Sequence, residues 1–71
     1  MDSRFIPVDG VKLRKLRRER ALSQQDVERI TGIAQATLSD LEQGKRGARA
    51  STLCKLAEIL EVAPKELMKE E

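Results

Sequence analysis

Residues 22–45 read LSQQDVERITGIAQATLSDLEQGK, and the punctuation of this stretch decides the fold. Ser23 is followed three residues later by Asp26. Its hydroxyl can accept from a free N–H of a first helical turn, while the carboxylate complements the helix N-terminus. A helix therefore starts after Ser23, with Val27 and Ile30 as its inward residues. Gly32 supplies the left-handed conformation that ends this helix after about two turns. Ile33, Leu38 and Leu41 form the next apolar set and predict a helix over 35–43, closed by Gly44. Gln35, Ala36, Thr37, Ser39 and Asp40 are left on its outer side.

Working outward, Leu13 and Leu16 recur three apart amid Lys and Arg and predict a first helix over 11–20, with Leu22 continuing inward. Before it, residues 1–10 hold Phe5, Ile6 and Val8 without a helical period, and Pro7 and Gly10 interrupt any regular element, so they read as an extended arm. After Gly44 comes a basic loop, Lys45 to Ala50. Ser51 is the expected N-cap of a fourth helix with Leu53, Leu56, Ala57 and Leu60 inward. Cys54 sits in that apolar pattern and is expected to be a buried structural thiol. Pro64 suits the first turn of a last helix with Leu67 and Met68 inward, before a charged tail. The expectation is an all-α, compact five-helix domain over residues 11–69 preceded by the arm of residues 1–10.

Composition agrees and narrows the function. Seventy-one residues suffice for one small core, and aromatics make up 1% of the chain, which favours an aliphatic helical bundle over a sheet. Net charge is only +2, yet it is unevenly spread: +4 over residues 1–22, zero over 23–50 and −2 over 51–71. A basic N-terminal third suits a polyanion, although a solubilising face has the same look. With no histidine and one cysteine there is neither an internal disulfide nor a set with metal-ligand spacing. No cofactor, metal or small-molecule ligand is expected, and the chain is not expected to be an enzyme. It has no signal-peptide pattern and no apolar run approaching the ~20 residues that span a bilayer, so a cytoplasmic, nucleoid-associated protein is expected. Met1 and the charged Glu71 read as natural termini, with a fragment of a longer regulator as the alternative.

Two short helices joined by a tight glycine turn are a geometry with which regulators reach DNA, the second helix protruding while the first braces it. Here the sequence resembles the lambda-repressor and Cro-like, XRE-type, helix-turn-helix family. The resemblance is carried by Leu13-Arg14-Lys15-Leu16-Arg17, Leu22-Ser23-Gln24, Gly32-Ile33, Thr37-Leu38-Ser39, Leu41-Glu42-Gln43-Gly44-Lys45 and Leu56-Ala57. Their combination is far rarer than any single piece, and it covers about Val11 to Met68.

The resemblance implies a five-helix DNA-binding domain and assigns roles. Gln24 matches a residue that contacts a backbone phosphate, and Gln35, Ala36 and Asp40 match base-reading positions. Thr37 and Ser39 would touch phosphate or flanking bases, and Lys45, Arg46 and Arg49 would lie along the sugar-phosphate backbone. Arg14, Arg18 and Arg4 are weaker candidates for that same contact. Arg17 and Glu42 match an ion pair that positions the recognition helix. In chemical terms Gln35 suits adenine and the methyls of Ala36 and Thr37 suit a thymine methyl. Asp40 either accepts from a cytosine amino group or instead repels wrong sites or pairs with a nearby Arg such as Arg46. Three residues depart from the family pattern. Glu28 stands where a small residue is usual, and Thr31 stands where Leu is common, with Ile30 taking its inward role. Ala34 stands at the N-cap of the third helix, which forgoes about 1 kcal/mol of capping.

The expected function is that of a sequence-specific double-stranded DNA-binding transcriptional regulator, a homodimer on a palindromic operator. Leu67, Met68, Phe5, Ile6 and Val8 are the candidate dimer contacts, the other reading being that they close the monomer core. The alternative function is a protein-interaction or antitoxin-like module that uses the same fold mainly to bind a protein.

Overall fold

A computed structural model describes residues 5–70; Arg4 lies outside this range. The described elements are α1 (Gly10–Glu19), α2 (Gln24–Thr31), α3 (Gln35–Glu42), α4 (Ala50–Leu60) and a single 3-10 turn, Pro64–Leu67. The expected five helices are therefore four α-helices and one tight turn. The fifth never develops because the chain leaves it in extended conformation at Met68, where Val8 and Met68 form an antiparallel bridge. Extended pairing and a continuing helix make incompatible demands on the same backbone.

Local chemistry explains where each helix starts. Asp9 caps α1 by accepting from the Lys12 N–H at 3.1 Å, so Gly10 opens the helix rather than interrupting the arm. The absence of a side chain at Gly10 is required by packing, since a Cβ there would collide with the carbonyl oxygens of Leu41 and Glu42 at the end of α3. In α2 the capping box is present in full: Asp26 N–H donates to Ser23 Oγ at 3.0 Å and Ser23 N–H donates to Asp26 Oδ2 at 2.9 Å. Gly32 closes α2 with φ +80°, a conformation that costs a residue with a Cβ free energy.

The core is aliphatic. Leu13, Val27, Leu38, Leu41, Leu53, Leu56, Leu60 and Leu67 are fully buried, joined by Val8, Ile33, Ala48 and Ala57. The arm is part of this body. Ile6 and Ala48 exchange two backbone hydrogen bonds of 2.7 and 2.9 Å, Asp9 N–H donates to the Leu67 carbonyl, and Lys69 N–H donates to that of Pro7. Of the candidate dimer contacts, Val8 and Leu67 are thus spent on the monomer core.

Four expectations are corrected. Cys54 is exposed: the buried stripe of α4 runs through residues 53, 56, 57 and 60, and the position after Leu53 is turned about 100° away from it. Ile30 is 54% exposed rather than inward. The half-buried position on that side of α2 is Thr31, whose hydroxyl donates to the Val27 carbonyl at 2.6 Å and accepts from Ile33 N–H at 3.1 Å, pinning the turn. Ser51 does not cap α4, because the extended N-cap conformation falls at Arg49, which makes no side-chain cap bond. Met68 is exposed while Leu67 carries the burial. Glu28 is exposed and so does not come between α2 and α3.

Candidate nucleic-acid interface

A polar knot sets the attitude of α3. The Arg17 guanidinium donates to both carboxylate oxygens of Glu42, from Nε at 2.6 Å and from a terminal nitrogen at 3.0 Å, and its third arm donates to the Leu22 carbonyl at 2.7 Å. Gln24 Nε2 adds a 3.2 Å bond to the same carboxylate. One carboxylate at the end of α3 thereby ties together α1, the α1–α2 link and the start of α2. The side chains are 11% exposed at Arg17 and 4% at Glu42, so this pair is shielded from solvent screening. At the same helix start, the Ser23 backbone and hydroxyl bonds, then Arg29, hold the Asp26 carboxyl below its ordinary range.

Held in this way, α3 presents Gln35 and Ala36 to solvent, with Thr37, Ser39 and Asp40 half-buried beside them. Leu38 and Leu41 fill the core from its other side. The N-terminus of α3 at Ala34 makes no side-chain cap bond, and neither does that of α4 at Arg49. By contrast α1 and α2 are capped by Asp9 and Ser23. The starts of α3 and α4 thus lack side-chain caps, and each carries the positive end of a helix dipole.

Open clefts lie to either side of α3. One, of about 420 Å³, is lined by Arg14, Arg17, Gln24, Ser39, Glu42 and Gln43. It brings together two expected phosphate contacts, Gln24 and Ser39, with Arg14, a weaker candidate for the same contact. Ser39 is tethered here by Gln43 Nε2, which donates to its Oγ at 2.7 Å. The other, of about 150 Å³, is lined by Phe5, Thr37, Arg46, Gly47, Arg49 and Thr52. Arg46 and Arg49 are exposed, as is Lys45. Among the described residues no ion pair joins Asp40 to Arg46. Arg18 lines a neighbouring cleft with Val11, Lys15 and Glu19, which shares Arg14 and Glu42 with the first. The surface thus runs as an exposed small-and-polar helix edge between two clefts, one lined by residues of α1, α2 and α3 and the other by the arm and the basic loop.

The match to known proteins follows this geometry. The family model described as a helix-turn-helix domain matches residues 10–71. The chain belongs to that family. Among curated relatives, the helix-turn-helix domain is 42% identical over 59 residues to the uncharacterized HTH-type transcriptional regulator y4dJ of Sinorhizobium fredii, covering 83% of this chain and 77% of that protein. It is 40% identical over 60 residues to the HTH-type transcriptional repressor RghR of Bacillus subtilis, covering 83% of this chain and 44% of the relative. The chain thus spans most of the first relative and less than half of the second. Among solved structures, the restriction-modification controller protein C.AhdI of Aeromonas hydrophila superposes with a TM-score of 0.76 at 32% identity, covering 83% of this chain and 89% of that one.

In the helix-turn-helix domain three residues have roles that the sequence did not announce, two on this surface and one at the start of α1. Gln43 entered only as part of the closing motif, although it tethers Ser39. Asp9 was not expected as a cap, and Phe5 was expected as an arm hydrophobe and candidate dimer contact rather than as a partner of the loop arginines. The signal for Asp9 was present, an Asp three residues before Lys12 at the edge of a periodic segment. No local signal places Phe5 beside residues forty positions away.

Proposed function

We propose that the chain is a sequence-specific double-stranded DNA-binding transcriptional regulator that lays α3 in the major groove. The observation that carries this reading is the exposed edge of Gln35 and Ala36, with Thr37 and Asp40 beside them, on a short helix whose own start is uncapped. A major groove about 12 Å wide admits a helix, whose diameter with side chains is about 10–12 Å. Gln35 then reads adenine, Ala36 and Thr37 meet thymine methyls, and Asp40 accepts from a cytosine amino group. Gln24 and Ser39 on one side, and Lys45, Arg46 and Arg49 on the other, contact the backbone and fix register without carrying sequence. Membership of the helix-turn-helix family and kinship with a named repressor support this reading and favour repression.

The reading extends to a homodimer on a palindromic operator. One module of this size covers little DNA, and two-fold related half-sites about 34–36 Å apart suit two bodies whose longest dimension is 30 Å. No helix among the described residues is long and apolar enough to cross a membrane, and the reading places the protein in the cytoplasm, on the nucleoid. The test is selection from random duplex DNA by the purified chain, followed by titration of the winner at several salt concentrations. A palindromic consensus bound by two chains is expected, with a steep salt dependence. No enriched sequence and only weak salt-sensitive binding would overturn the reading in favour of a protein-binding module.

A further inference from the structure

We infer that Phe5 is a positioning residue for DNA binding, whose ring holds the Arg46 and Arg49 guanidiniums together as a preformed clamp for backbone phosphate; this rests on the DNA-binding reading above. Phe5 is the chain's one aromatic residue, and it is 52% exposed, so it is not spent on the core. The guanidinium carbon of Arg46 lies 5.7 Å from its ring centroid and that of Arg49 lies 5.6 Å away. Both are within the range in which a ring face attracts a cation.

Three features make this placement a built one. The paired hydrogen bonds between Ile6 and Ala48 register the arm against the loop, with residue 5 next to them. Gly47 lets the arm lie close, since a Cβ there would stand 2.6 Å from the Ile6 carbonyl oxygen and 3.2 Å from Phe5 Cβ. Thr37 of α3 and Thr52 of α4 line the same cleft as the ring and both arginines, so the platform adjoins the helix expected to read bases.

Two cations drawn to one ring repel each other, and an anion between them relieves that repulsion. Arginine forks match phosphate oxygens bidentately, and fixing long side chains beforehand removes part of the ordering cost of binding. The ring thus serves affinity through the arginines and leaves base choice to α3.

The test combines a double-mutant cycle with a spectroscopic readout. Phe5→Leu is expected to weaken binding about fivefold, to a similar degree on consensus and random duplexes, with the preferred sequence unchanged. Phe5→Tyr is expected to restore it. In an Arg46→Gln/Arg49→Gln background Phe5→Leu is expected to have no further effect. In the free wild-type protein the side-chain δ protons of Arg46 and Arg49 are expected to be shifted upfield by the ring relative to those of Arg29. An unshifted pair of arginines, an equal loss in the double-glutamine background, or wild-type affinity in Phe5→Leu overturns the inference while leaving DNA binding intact. A wild-type chain that binds no duplex overturns both.

Discussion

At Gly10 a single methyl group decides whether α1 can reach α3. The Cβ of Gly10→Ala would meet the backbone carbonyls of Leu41 and Glu42, which cannot swing aside as a side chain can. The variant is expected to lose about 1–3 kcal/mol in urea unfolding, against the gain alanine brings in an ordinary helix. Arg17 and Glu42 pose the electrostatic counterpart. Glu42→Gln leaves a nearly buried guanidinium without its carboxylate, and a loss of about 3–5 kcal/mol is expected, read as a fall in the urea midpoint. Asp26 predicts a dependence on pH. Its folded carboxyl titrates below its ordinary range because Ser23 and then Arg29 stabilise the charged form. The stability it contributes is therefore full above the unfolded carboxylate pKa and is lost as pH falls through the lower, folded value. Thermal melts of wild type and Asp26→Asn should differ at neutral pH and converge in acid. A gap that persists at low pH would contradict this linkage.

At the scale of elements, the helices that were legible are those whose start and stop are written locally. Ser23 with Asp26 and Gly32 bounded α2, and Gly44 closed α3, because caps and left-handed turns are fixed by the residues that make them. Errors came where spacing left a choice between neighbours or where a distant pairing decided. Ile30 and Thr31 are both plausible inward residues by spacing, and the turn hydrogen bonds of Thr31 decided for it. Cys54 looked buried because it adjoins Leu53, whereas the helical period carries it off the stripe. The 3-10 turn was read as a helix because the pairing of Met68 with Val8 is not local. The uncapped start of α3 supports a prediction of its own: Ala34→Ser adds a hydroxyl acceptor in extended conformation and should raise stability by about 1 kcal/mol in chemical denaturation. An unchanged or lower midpoint would mean that the N–H groups there already have partners.

At the scale of the molecule, an aliphatic core and one polar knot leave a single edge of α3 exposed between two clefts. The sequence named the residues of that edge through their spacing, since positions 35, 36 and 40 fall away from Leu38 and Leu41. It was silent on how the clefts are assembled, because one joins α1, α2 and α3 and the other joins the arm, the loop and α4. Charge on the loop carries its own expectation: replacing Lys45 by Gln should weaken binding about equally on all duplexes and reduce the salt slope by about one unit. The central claim is that α3 reads bases, and competitive duplex selection by wild type and Gln35→Ala tests it most directly. The account predicts loss of preference at one base pair in each half-site, worth about 1–3 kcal/mol, with the rest of the consensus retained. An unchanged consensus, or uniform weakening at every position, would contradict it.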